Sequence, residues 1–222
     1  MQKRTVIFGD YNTADEGWTL AAWSLSAPEQ KTNYVEKTGG DGSWDLSTVM
    51  SDGVPRYNMR ELSVTLENSQ GDRAHREELI GELVNLLDGF EWQVVLPDHP
   101  DHYITGRLHV AVEYSDPAHA CVIVTGTCSP WLESCQEKVY ALPAEEVKHT
   151  VALVNEGRKV LVPEITVEGL DSSILLQFGL NSIQLTAGTY TWPPLVLPRG
   201  AHELTYSGTG TLTVSYREAV LR

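Results

Sequence analysis

"GGDGSWDLSTVMSDGVPRYNMRELSVTLE", residues 39–67, begins as a glycine-rich run and ends in strict alternation. In "RELSVTLE" (60–67), Leu62, Val64 and Leu66 point one way, and Glu61, Ser63, Thr65 and Glu67 the other. That period of two marks a strand with one buried face. The glycines ahead of it raise the question of a catalytic loop. A phosphate-binding G-x-x-x-x-G-K-[ST] loop, or a dinucleotide G-x-G-x-x-G loop, lies between a strand and a helix. Gly39, Gly40 and Gly42 have neither spacing, and no helical pattern follows them. Asp41 and Asp45 suggest a calcium loop, but its third acidic position, sixth-position glycine and closing Glu are missing. The run reads as a long non-catalytic loop feeding a well-formed strand.

Strand signals dominate on either side. Thr5–Phe8 reads as a short opening strand, and "WTLAAWSLS" (18–26) alternates with Trp18, Leu20, Ala22, Ser24 and Ser26 on one face. "EWQVVLP" (91–97), "YITGRLHVAVEYS" (103–115) and "AHACVIVTGTC" (118–128) follow, the last two joined at Asp116-Pro117 as a hairpin. One segment breaks the pattern. "GDRAHREELIGELVNLLDGF" (71–90) sets Leu79, Leu83, Leu86 and Leu87 at helical spacing, widened by Ile80 and Val84. Asp72 as N-cap and Gly89 after the end bound an amphipathic helix of about four turns (73–88), whose apolar stripe must lie on a sheet.

Near residue 140 the texture changes. "KVYALPAEEVKHT" (138–150), with Pro143 and two glutamates, reads as a connector. Beyond it come "VALVNEG", "LVPEITVEG", "SILLQFG", "SIQLTAGTY", "PLVLPRG", "AHELTYSG" and "GTLTVSYREAVL", short strands with a turn signal every eight to twelve residues. That rhythm without a helix predicts a small antiparallel sandwich. The expected fold is therefore mainly β. Residues 1–140 form a β-barrel or split-sheet domain with one α-helix, and residues 141–222 form a β-sandwich.

The 222 residues are comfortable for two domains, and 41% of them are hydrophobic, enough for real cores. A net charge of −14 opposes sequence-specific nucleic-acid binding through phosphates and docking on anionic membranes. The start, "MQKRTVIFGDYNT", has too short an apolar run for a signal-peptide core, and no run approaches the roughly 18 residues of a membrane helix. Cys121, Cys128 and Cys135 do not form a secreted disulfide framework, so a reducing cytoplasm is expected.

Chemistry is sparse. "DHPDH" (98–102) holds His99, His102 and two aspartates, but it lies between two strands and reads as a solvated turn, not a metal site. The cysteines recur every seven residues and lack a C-x-x-C pair, so they read as small buried apolar side chains. No G-x-S-x-G elbow exists, and carboxylate pairs such as Glu145-Glu146 lie in apparent linkers, where nothing would raise a pKa. No cofactor, metal or catalytic residue is expected.

The order of parts resembles that of the distal tail proteins of siphophages, the Dit family. Tyr57, Arg60, Leu62 and Val64 match its "Y-x-x-R-x-[ILV]-x-[VF]" strand behind an aspartate-bearing loop, and Leu86, Leu87 and Gly89 match a helix ending in "LL-x-G". Leu197 to Gly210 and the closing Tyr216 to Leu221 are similar to its galectin-like sandwich. The resemblance covers nearly the whole chain. It implies a virion protein without enzyme activity, assembled in the host cytoplasm. It further implies a homo-oligomeric ring, usually a hexamer, between the tail tube protein and the tail-tip or baseplate hub protein, with DNA free to pass through the lumen. Alternatives are another ring-forming tube or hub component, or a carbohydrate-binding module using Tyr190 and Trp192. A ring needs heterologous interfaces that close by rotation. Residues 27–55 carry Tyr34, Trp44, Leu46, Val49 and Met50, side chains that suit a subunit interface better than solvent. They are read as an inter-subunit arm anchored by Trp44, against a lid packed on its own domain.

Overall fold

A computed structural model of the chain describes residues 4–51, 53–113 and 119–222, apart from the side chains of residues 170 and 171. The expected Asp116-Pro117 turn lies outside the described residues. The chain divides into two compact units, Met1–Leu132 with Leu221–Arg222, and Glu133–Val220.

The first unit contains β1 (Ile7–Phe8), β2 (Tyr11–Asn12), β3 (Thr19–Leu25), β4 (Tyr34–Glu36), β5 (Ser43–Asp45) and β6 (Arg60–Asn68). Then come α1 (Arg73–Leu87), β7 (Glu91–Val95), β8 (His102–Glu113) and β9 (Ala120–Cys128). Its antiparallel sheet runs β2-β1-β7-β8-β9-β6-β3, while β4 and β5 pair with each other alone. The helix carries the chain from β6 to β7 and packs on the β8 and β9 lying between them. The strands pair as one continuous sheet, and its β2 and β3 edges are brought together where Trp18 N donates to Thr13 O at 2.9 Å and Trp18 Nε1 to Tyr11 OH at 3.1 Å, as a barrel-like sheet requires.

Strand β6 behaves as its alternation predicts: Leu62, Val64 and Leu66 are buried, opposite Gly126, Val124 and Val122 of β9. Two polar residues share that inner face at the strand's ends. Asn68 donates to Gly17 O at 2.9 Å, and the Arg60 Nε donates to Ser26 O at 2.6 Å. Burial pushes the Arg60 pKa below its ordinary value. The alternation of β3 does not survive intact. Its register against β6 shifts between Leu20 and Ala22. The bulge moves Trp23 and Leu25 to the side of Leu20, opposite Val64 and Leu62, and leaves Ala22 and Ser24 exposed. Helix α1 starts where the cap predicts, with the Asp72 carboxylate accepting from His75 N at 2.9 Å. Leu79, Ile80, Leu83 and Leu87 are its buried side chains, each contributing about 1.5–3 kcal/mol by burial. At its other end Asp88 accepts from Val110 N at 2.9 Å and meets His109 Nδ1 at 2.6 Å, tying the helix to β8.

The second unit corrects two readings. Residues 138–144, expected as a connector, form β11 (Lys138–Ala144), which follows β10 (Leu132–Ser134). The expected short strands then merge. After β12 (His149–Asn155), "LVPEITVEG" and "SILLQFG" contribute to one strand, β13 (Glu164–Phe178). β14 (Asn181–Thr186) and β15 (Gly188–Thr191) follow, then β16 (Gly200–Tyr216), a single strand formed from "AHELTYSG" and "GTLTVSY", and lastly β17 (Ala219–Val220). "PLVLPRG" adds no strand, only an isolated bridge from Leu197 to Leu161.

The pairings show how two long strands make a sandwich. The first half of β16 pairs β12 and the second half of β13, which pairs β14. The second half of β16 pairs β11 and the first half of β13, which pairs β15. One sheet thus bends into two four-stranded layers at the register shift between Glu168 and Ser173. Ile165, Val167, Ile174, Leu176, Leu204 and Leu212 fill the space between them. At the bend Gly208 has φ +138°, and a Cβ there would lie 2.0 Å from Ser173 O. The sequence signal that reads as a turn is a bend, because glycine lets the chain swing without leaving the ladder.

Gly208→Ala is accordingly expected to destabilise the protein by about 3 kcal/mol in urea unfolding, through backbone strain and collision together. Gly179→Ala shares the positive φ but has nothing within 4 Å, and it should cost about 1 kcal/mol. Equal losses would show that the close approach at Gly208 does not matter.

Candidate functional site

Residues between β3 and β6 leave the sheet and return. Their stem is an antiparallel ladder: Asn58 N donates to Glu29 O at 2.8 Å, Lys31 N to Arg56 O at 2.8 Å, and Gln30 bridges Tyr57. Tyr57 packs edge-on against Trp131 at 5.5 Å between ring centroids. Above the stem, Leu46 N donates to Asn33 O at 2.8 Å and Asn33 N to Ser47 Oγ at 2.8 Å. Hydrogen bonds from Ser47 hold the Asp45 carboxyl below its ordinary range. The glycine-rich run is the tip. Gly39 and Gly42 take positive φ in the loop joining β4 to β5, so the segment expected as loose loop is a formed hairpin.

All five side chains of the expected arm are exposed. Trp44 is 61% and Met50 97% accessible, with Tyr34, Leu46 and Val49 also on the surface. The ladder sorts them. Val35 pairs Trp44 and Tyr34 pairs Asp45, so Trp44 and Val35 share one face and Tyr34 lies on the other with Glu36 and Asp45. Leu46, two residues beyond Trp44, continues the apolar face. Val49 and Met50 belong to a turn of 3-10 helix, Val49–Ser51, that follows. The Lys37 ammonium stands 4.9 Å over the Trp44 ring, a cation–π contact. Val35 and Lys37 are members that the sequence reading missed. The signal was present, since "NYVE" and "SWDL" alternate on either side of a glycine-rich turn.

The other sequence candidates fall elsewhere. Trp192 is 7% exposed and belongs to the sandwich core, so it offers no open face to a sugar ring. Tyr190 is partly buried against that core, with its hydroxyl 3.4 Å from Thr186 Oγ1. "DHPDH" is a turn in which His99 N donates to Leu96 O and His102 N to His99 O. Among the described residues no His, Cys, Asp and Glu side chains gather as a metal site. The cysteines divide: Cys128 is buried as expected, but Cys121 is half-buried and Cys135 exposed. Both corrections have local causes, since Cys121 lies opposite Glu67 and Glu113 on the outer face of the sheet, and Cys135 follows the end of β10.

No protein-family model matches the sequence, and none of the curated proteins compared matches it. Solved structures do. The crystal structure of the Dit protein (gp 19.1) of phage SPP1 is described as a paradigm of the hub adsorption apparatus in phages infecting Gram-positive hosts. It matches with a TM-score of 0.65 and 14% identity, over 98% of this chain and 99% of that one. Two structures of the phage P2 baseplate in its activated conformation also match. The one with Ca has a TM-score of 0.44 and 9% identity, over 97% of this chain and 98% of that one. The one with Sr has a TM-score of 0.47 and 8% identity, over 96% and 98%. The SPP1 structure establishes a shared fold through both units.

Burial, reinforced by the nearby Arg222 cation, lowers the pKa values of His99 and His102 below 6.5. The unfolded chain then binds more protons than the folded one, so stability rises with pH. Their contribution is complete above pH 6.5 and is lost as pH falls below it through the lowered folded values. The urea midpoint should drop between about pH 7.5 and about pH 5.5, and less in a His99→Gln/His102→Gln variant. A separate outcome concerns the thiols. Burial pushes Cys128 up to about 11, so a thiol reagent near neutral pH should label Cys135 first, Cys121 slowly and Cys128 on unfolding alone.

Proposed function

We propose that the protein is a structural subunit of the tail tip of a long-tailed phage or prophage. Six copies form a distal ring that joins the tail tube protein to the baseplate or tail-tip hub protein and surrounds the DNA channel. The observation that carries this reading is the fold shared with the SPP1 Dit protein from end to end, at 98% and 99% coverage. Two features of this chain support it. An apolar arm stands off its own unit with Trp44 and Met50 in solvent, an arrangement that suits burial by another copy. A charge of −14 per copy suits a channel through which DNA slides without adhering.

In this reading the protein works by holding partners in place, without catalysis or cofactor. It resides in the virion at the tail tip after assembly in the host cytoplasm. The first unit builds the ring and the second, Glu133–Val220, forms the sandwich, whose Trp192 supports packing in place of sugar binding.

Light scattering on the purified chain tests the reading. A mass near six times 24.6 kDa, with a central hole in micrographs, is the expected result. A single-copy mass at every concentration overturns self-assembly. Trp44→Ala should lower the assembled mass while changing the unfolding free energy of the dissociated chain by less than about 0.5 kcal/mol, as for an exposed side chain. A lid packed on its own unit would give the reverse.

A further inference from the structure

The arm leaves the sheet at Ser26 and returns to it at Arg60, the first residue of β6. Three hydrogen bonds hold the junction. Ser26 N donates to Glu61 O at 2.9 Å, Ser26 Oγ accepts from Glu61 N at 2.8 Å, and Ser26 O accepts from the Arg60 Nε at 2.6 Å. The third uses a side chain to fix the peptide on which the arm departs. Ala27 and Pro28 come next, and a proline has no N–H with which to hold the chain. The ladder resumes in the stem, where Glu29, Gln30 and Lys31 meet Asn58, Tyr57 and Arg56.

An arginine is a costly choice for this position. Its side chain is 3% exposed and shares the inner face with Leu62, Val64 and Leu66. Its Nη1 is buried without a hydrogen-bond partner. Cys128, opposite it across the ladder, brings no counter-charge, because burial pushes that thiol up to about 11. His99 nearby can add only positive charge. A buried charge left unpaired lowers stability, and an apolar side chain of similar volume is often neutral or stabilising in its place. We infer that Arg60 is the positioning residue of the arm: it clamps the Ser26–Ala27 peptide and so sets the direction in which the hairpin bearing Trp44 leaves the sheet. Hairpin and stem hold their own backbone bonds, so loss of the clamp frees the arm to swing as a body without unravelling. The consequence for assembly rests on the ring reading, since a segment already aimed loses less freedom when another copy covers it. The clamp itself belongs to the single chain.

The experiment compares the full chain with Arg60→Met and Arg60→Gln by urea unfolding, light scattering and amide hydrogen exchange on the dissociated chain. Methionine has no donor, whereas glutamine sets an uncharged N–H donor where the Nε stood. In Arg60→Met the amides of Ser26 and Glu61 should exchange about tenfold faster, with Leu46 and Val64 unchanged and the urea midpoint no lower. Arg60→Gln should bring Ser26 and Glu61 back to within about threefold of the unaltered chain. Unchanged exchange at Ser26 and Glu61 in Arg60→Met, or no rescue by glutamine, overturns the clamp. A variant that fails to fold, melts at lower urea or exchanges as fast at Val64 as at Ser26 makes Arg60 an ordinary packing residue and overturns it as well. Light scattering keeps the two readings apart. If the unaltered chain assembles, Arg60→Met should lower the assembled mass at equal concentration, and an equal mass overturns the link to assembly. A chain that stays single-copy throughout removes the ring reading, while the exchange rates still decide the clamp.

Discussion

The register of β6 is the constraint on which the rest of the first unit depends. Leu62, Val64 and Leu66 face inward, and a slip of one residue would turn the face of Glu61, Ser63, Thr65 and Glu67 inward in their place. The strand is paired on both sides, to β3 and to β9, so its register sets theirs. The β3 bulge is one consequence, since the extra residue brings half-buried Trp23 and Leu25 opposite Val64 and Leu62. Helix α1 then has one apolar surface to cover, the buried face that β8 and β9 continue. Arg60 and Asn68, the two ends of that inner face, bond outward to Ser26 and Gly17, which closes the polar ends of the strand on the segments flanking β3.

The second unit solves a different problem with few parts. Two layers need side chains on both inner faces, and β13 and β16 supply both by running through the bend. Each strand changes partners there, β15 to β14 in one case and β12 to β11 in the other. The bend needs residues without a Cβ, because the backbones of Gly208 and Ser173 approach too closely for one. Trp192, Leu195 and Leu197 close the core from a segment without a ladder of its own. Their burial explains why an aromatic that suggests a binding platform in sequence is a packing residue in the fold.

The arm follows the opposite logic. Its backbone is satisfied by its own hairpin and stem bonds, so it holds its shape without burying its side chains. Apolar surface left in solvent does little for the stability of one copy, but it drives association at about 25 cal/mol per Å² once covered. The Lys37 contact covers part of the Trp44 ring meanwhile, and a cation there adds direction to an otherwise unspecific apolar contact. The exposure of Trp44 and the charge set over it are properties of the folded unit.

The sequence by itself determined the elements whose signal is local. The alternation of residues 60–67 and the cap and stripe of α1 were legible because a strand face and a helix face are written at fixed spacing. Composition, not spacing, put Tyr34, Trp44, Leu46, Val49 and Met50 forward as an arm, since apolar side chains in a long loop suit an interface better than solvent. Tertiary structure alone decided whatever depends on a second strand. The bulge in β3, the merging of two turns into bends, the sorting of Trp44 from Tyr34 and the burial of Trp192 are set by cross-strand partners far away in sequence. Glycine is the physical reason for most of the difference. Its freedom serves a hairpin tip at Gly42 and a continuous bent strand at Gly208 equally well, and only the neighbouring backbone selects between them.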